Sequence, residues 1–168
     1  MANRIVAGAI AGASGVLALN VVGYLDMLVR GRPASSVPAR VAAKLADEIG
    51  LPLDFEGINA EEGAESDEEG AGDVLAHRPQ ALGGLLGMHN GVGIGIAYGI
   101  VRLVLPRPPT WLAGAALGSL AMAASDYPSA RLGVTEPRDW SATDWAADVV
   151  PHMAFGIVTA LAFEAAKK

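Results

Sequence analysis

Residues 5–29 read IVAGAIAGASGVLALNVVGYLDMLV, and they decide the fold. Asp26 is the one charged side chain in this stretch. At about 1.5 Å per residue, a helix of this length exceeds the ~30 Å hydrocarbon layer of a bilayer. Gly8, Gly12, Val16, Asn20 and Tyr24 recur at every fourth position and so form one row along such a helix. Gly8, Gly12 and Gly15 imitate the glycine-rich phosphate loop of a dinucleotide-binding fold, but that loop needs a preceding strand and a following βαβ unit. Only seven residues precede Gly8, and no alternating strand pattern follows. Small residues at this spacing read instead as a helix-packing surface. A signal peptide has a shorter apolar region than the one running to Val29.

Three more apolar stretches follow, at about residues 79–105, 110–134 and 142–166, each near the ~20 residues a span requires. Their charges, Arg102, Asp126, Arg131, Asp144, Asp148 and Glu164, gather towards the span ends, with Asp126 the deepest. Trp111 opens the third stretch, and Trp140 and Trp145 flank the start of the fourth, as interfacial belts require. The expectation is an all-α integral membrane four-helix bundle, a single membrane domain over 1–168. Residues 33–78 interrupt it. Ser36 or Pro38 begins a short amphipathic helix through Val41, Leu45 and Ile49, which Gly50 and Pro52 end. Asn59 to Asp73 is an acidic run without the ligand spacing of a calcium loop, and reads as a disordered linker. Ser141-Ala-Thr-Asp144 has the form of a capping box at the start of the last span.

Composition supports the lipid setting. Apolar residues make up 52% of the 168 and charged residues 18%, below the ~25% of soluble domains. The net charge of −6 is concentrated, with eleven acids and no Lys or Arg between Asp47 and Asp73. No basic stripe is large enough to track nucleic-acid phosphates. Cysteine is absent, which excludes disulfides, thiolate metal sites and thiol nucleophiles. With four spans, seven basic residues border the first and third loops and five the opposite side, too even a division to orient the chain.

The two halves resemble each other. Val6-Ala-Gly-Ala-Ile-Ala-Gly12 matches Leu112-Ala-Gly-Ala-Ala-Leu-Gly118 at an offset of 106, which sets Asn20 on Asp126. His89-Asn-Gly-Val-Gly-Ile94 matches His152-Met-Ala-Phe-Gly-Ile157 at an offset of 63. The chain is thus expected to be two tandem two-helix hairpins, with the amphipathic helix and acidic loop inserted in the first. Helix-packing glycines are Gly8 and Gly12, the stripe Gly83, Gly87, Gly91, Gly95 and Gly99, and Gly114 and Gly118. Asn20, His89, Asp126 and His152 are expected at nearly one depth, about 12–15 Å from one surface. Asp148 and Asp144 continue from His152 towards that surface, one turn at a time.

Such a layer supports several functions. As an ionisable relay, Asp126 and His152, assisted by Asn20 and His89, pass a proton or small ion towards Asp148 and Asp144. As polar glue, the same groups bond across helices in a structural scaffold or complex subunit. A third alternative is haem b held by His89 and His152. No nucleophile motif, phosphate cradle or metal triad supports an enzyme. Pro151, just before His152, removes a helix hydrogen bond and favours a kink. The opposed directions of the glycine stripe and His89 favour a homo-oligomer or larger membrane complex.

The RGRPAS stretch after the first span, the H-x-x-x-G motifs at His89 and His152, and the DWAADVVPH run of Asp144–His152 resemble small bacterial membrane proteins. They are distantly similar to the YagU-like group of inner-membrane proteins. The resemblance covers most of the chain except the acidic insertion. It implies multi-pass location in a bacterial inner membrane and carries over no catalytic residue.

Overall fold

A computed structural model describes residues 2–50 and 71–167. Five α-helices occur among them, and no strand: α1 (Ala2–Arg30), α2 (Val37–Glu48), α3 (Ala71–Val104), α4 (Thr110–Arg131) and α5 (Ala142–Ala166). A 3-10 turn at Pro137–Asp139 joins the last two. Gly31 and Gly50, just after α1 and α2, and Gly133, just after α4, have positive φ, the backbone conformation in which helices commonly stop. The acidic stretch lies mostly outside the described residues; Ala71 to Asp73 form the start of α3. Pro79, expected to open the second span, is instead inside α3 and fully buried.

Three helices are long and apolar enough to cross a membrane: Asn3–Arg30, Arg78–Val104 and Ala142–Ala166. At most 33% of any of these apolar windows is buried. Leu28, Val29 and Val104 are each about four-fifths exposed, an arrangement that suits lipid and is costly in water. The sequence suggested four such helices. α4 does not reach the same apolarity, because its 22 residues include Ser119, Ser125, Asp126, Ser129 and Arg131 among alanines and glycines.

Glycines set the packing. Gly8 lies over the Gly95 carbonyl and Ile96, Gly12 over Gly91 and Val92, and Gly99 over the Arg4 carbonyl, so α1 and α3 cross backbone to backbone, antiparallel. The α4–α5 contact repeats this pattern: Gly114 lies over Ile157, Gly118 over His152 and Met153, and Gly156 over Gly114 and Gly118. Gly91 thus occupies the place of His152, Gly95 that of Gly156, and Ile96 that of Ile157, each pair 61 residues apart. This corrects the offset of 63 suggested by sequence. In this register the position matching His89 is Val150 and not His152. The sequence alignment followed matching His and Gly letters, whereas the backbone contacts follow the register in which the helices touch.

α1 lies between α3 and α5. Gly15 admits Phe155 and Thr159 of α5, and Ala7 and Ala11 close on the fully buried Phe163. α4 lies against the far side of α5 and makes a much sparser contact with α3. Ile94, Leu117 and Phe155, joined by Val16, Leu19 and Tyr98, bring α1, α3, α4 and α5 into one core cluster. Within the α3 stripe, Gly83 meets α2 at Pro38 and Ala39, Gly91 meets Val16 and Phe155, and Gly95 and Gly99 meet α1, while Gly87 meets nothing. α2 is amphipathic in a different sense from that expected. Its buried face is Ala39, Ala42, Ala43 and Ala46, while Leu45 and Ile49 point outward. Close approach of its backbone to Gly83 leaves room for methyl groups alone.

Candidate functional site

The capping box expected from Ser141-Ala-Thr-Asp144 is present. The Asp144 backbone N–H donates to Ser141 Oγ at 3.2 Å, and the Ser141 N–H donates to Asp144 Oδ2 at 2.9 Å. The box fixes the start of α5 and commits Asp144, an exposed side chain, to the helix end. One and two turns further in, Asp148 and His152 follow on the same face. His152 Nδ1 lies 2.8 Å from the Asp148 carbonyl and 3.3 Å from its Oδ1. Both neighbours are acceptors, so Nδ1 carries the hydrogen and Nε2 is left to accept.

Nε2 faces α4. Ser125 Oγ lies 3.5 Å from it, and donates either to the Met122 carbonyl at 2.9 Å or to Asp126 Oδ1 at 3.2 Å. Ser129, buried one turn on, bonds back to the Ser125 carbonyl at 2.6 Å. The Asp126 carboxyl is near enough to the Asp148 carboxyl for their charges to act on each other. The His152 and Asp148 side chains are 13% and 22% exposed, so the cluster is largely withdrawn from solvent. Asp148 Oδ2 is buried without a hydrogen-bond partner. Two carboxyls, an imidazole and a hydroxyl therefore meet across the α4–α5 contact at the level where Pro151 interrupts the helix ladder. Among the described residues, no group of three or more His, Asp or Glu side chains is arranged to hold a metal ion.

Asp126, Asp148 and His152 were legible in the sequence, and the structure brings them together. It does not bring in Asn20, which is exposed on α1, or His89, which is exposed on α3. In the register set by the glycine contacts, Gly87 and Gly91 stand where α5 has Asp148 and His152. Gly87 meets nothing and Gly91 meets Val16 and Phe155, so α3 offers no ionisable partner at these positions. The polar site belongs to one helix pair, and the four-membered layer is corrected to a one-sided cluster. With His89 on the outer surface and His152 turned inward between α4 and α5, the two imidazoles do not face a common haem pocket. Ser125 escaped sequence reasoning; its signal was adjacency to Asp126 on a helix with few polar groups.

A second polar group lies at the opposite end of the helices. Glu164 of α5 accepts from Lys167 at 2.6 Å and forms ion pairs with Arg107 Nε at 2.9 Å and Arg102 Nη2 at 3.6 Å. Arg102 is only 5% exposed; its Nη1 donates to the Leu105 carbonyl at 2.9 Å, and its own carbonyl accepts from Arg4. The Arg102 Nε is buried without a partner. At the other surface, Asp26 Oδ2 holds Arg30 and Arg32 at 2.5 and 2.6 Å, and Trp140 packs edge-on against Trp145.

No protein-family model, curated protein or solved structure matches the chain.

Proposed function

We propose that the chain is a four-span bacterial inner-membrane protein, built from two tandem hairpins, in which Asp126, Asp148 and His152 form one proton-binding site serving proton or small-ion movement. Support for α4 as the fourth span comes from its length, about 33 Å at the usual helical rise, and from the way its residues divide. Gly114, Gly118 and Ser129 are buried, whereas Trp111, Leu112 and Leu120 are exposed to the surroundings. Support for the duplication comes from the matched glycine registers of α1–α3 and α4–α5.

The observation that carries the functional reading is the unpartnered Asp148 Oδ2, buried beside a second carboxyl and an imidazole. Two carboxylates cannot comfortably stay ionised side by side in a poorly polarisable interior, so a proton shared between them is the favoured state. His152 offers it an exit: Nε2 is free to accept, and Ser125 Oγ bridges Nε2 and Asp126. Pure packing glue has no need of a second acid. Neutral Asn or Ser bonds across helices equally well in lipid without the cost of burying charge.

Asp126→Asn keeps the shape and hydrogen-bonding capacity and removes one titratable acid. In proteoliposomes carrying an internal pH dye, the wild-type protein is expected to move protons, or an ion coupled to them, under a pH gradient, and the folded Asn variant is expected to be silent. Equal silence of the two under both a pH gradient and a membrane potential would leave the cluster as structural glue.

A further inference from the structure

If the helix pairs α1–α3 and α4–α5 are equivalent, the contact of α1 with α5 has a counterpart in the contact of α4 with α3. The first is tight and the second is open. The residues explain the difference. At the positions where α1 has Ala11 and Gly15, α4 has Leu117 and Ala121, and where α5 has Thr159 and Phe163, α3 has Tyr98 and Arg102. Gly15 takes Phe155 and Thr159 into its surface, and Phe163 fills the α1 side completely. Leu117, Ala121 and Tyr98 hold their helices further apart, and Arg102 turns to Glu164 rather than filling the gap. What remains is an apolar groove of about 280 Å³ between α3 and α4, lined by Ile94, Tyr98, Val101, Pro108, Leu117 and Leu120.

The groove is not chemically uniform along its length. Its rim residues Val101, Leu112 and Leu120 are about half exposed, so it opens sideways where lipid tails lie. Its end at Val101 and Pro108 adjoins Arg102 and Arg107. There, among the described residues, Arg102, Arg107 and Lys167 pair with one carboxylate, Glu164, while Arg4 donates to the Arg102 carbonyl, and the Arg102 Nε has no hydrogen-bond partner. Arg107 is 61% exposed at this mouth. An apolar slot that begins at a cluster of cations, at the depth where a span ends, matches a phospholipid with a negative headgroup. Guanidinium forks suit its phosphate, and the slot suits one acyl chain. A helix about 10 Å across is too wide for the same space.

We propose that the α3–α4 groove, with Arg102 and Arg107 beside its Val101–Pro108 end, is a binding site for an anionic phospholipid. The acyl chain occupies the groove and the phosphate takes up the cationic charge that Glu164 leaves unbalanced. The proposal is independent of the Asp126 site, which lies at the other end of the helices.

Native mass spectrometry of the purified full chain in detergent tests it, with phosphatidylglycerol and phosphatidylcholine of identical chains as probes. Phosphatidylglycerol is expected to bind at least about fivefold more tightly, the factor expected for one basic side chain at a membrane surface. Arg107→Gln is expected to weaken phosphatidylglycerol about fivefold and leave phosphatidylcholine unchanged. Ala116→Phe, which fills the groove from its exposed rim, should weaken both lipids, and Ala13→Phe on the outer face of α1 should weaken neither. Equal binding of the two lipids by the wild-type chain overturns the proposal without any variant being needed. So does phosphatidylglycerol binding unchanged in Arg107→Gln, or a dimer that Ala116→Phe disrupts in the absence of lipid, which would make a second copy the occupant.

Discussion

Gly95→Ala adds one methyl group where α1 and α3 cross backbone to backbone. Its Cβ would meet the Gly8 carbonyl oxygen and would lie 2.6 Å from the Gly12 Cα, both backbone atoms that no rotamer change can move aside. An ordinary contact needs at least 3.4 Å, so α1 must lift from α3 by about 1 Å. Opening a packed seam by that amount forfeits a quarter to a half of each dispersion contact of about 0.15 kcal/mol. Over on the order of 20 atom pairs at the crossing, this is about 1 kcal/mol. Residual overpacking raises the expected total to about 2–3 kcal/mol. Gly87→Ala is the internal control, since a Cβ there meets nothing within 4 Å. It should be neutral or stabilise by up to ~1 kcal/mol through helix propensity. Denaturation in mixed detergent micelles, followed by helical circular dichroism, measures both. If the two substitutions shift the midpoint equally, the crossing is not set by the glycine contact, and the register drawn from it fails with it.

Two further substitutions test the ends of the helices. Ser141→Ala removes the capping box of α5 and should cost about 1 kcal/mol, visible as a lower denaturation midpoint with Asp144 no longer held; an unchanged midpoint would remove the cap from the account. Glu164→Gln leaves the buried Arg102 among uncompensated cations and should cost about 3 kcal/mol. Adding Arg102→Met should restore part of that loss, and a double variant no more stable than the single would show that the network does not hold the helices.

Much of this was legible because hydropathy and capping are local. The end of α1 at Arg30, the start of α5 at Ala142 and the Ser141 cap follow from residues a few positions apart. Three of the helices follow from unbroken apolar length. α4 stands apart from them, since Ala and Gly make it smooth without making it as strongly apolar. What could not be read was register across helices. His89 and His152 share a neighbouring H-x-x-x-G pattern, yet the α3–α1 and α5–α4 contacts differ from that match by two positions, enough to turn a side chain from the interior to the outside. The alanine face of α2 was hidden for a related reason: Leu45 and Ile49 are the larger residues, but close approach to Gly83 selects the smaller ones. Arg102 and Glu164 are 62 positions apart, and no periodicity links them.

The place of α1 between α3 and α5 also bears on how the chain is made. Synthesis produces α1 well before α5, yet Gly15, Ala7 and Ala11 find Phe155, Thr159 and Phe163 on that later helix. α1 must therefore wait, with half of its packing surface uncovered, until α5 has been made. A nascent chain stalled before residue 155 leaves that face uncovered, whereas docking of α5 closes it.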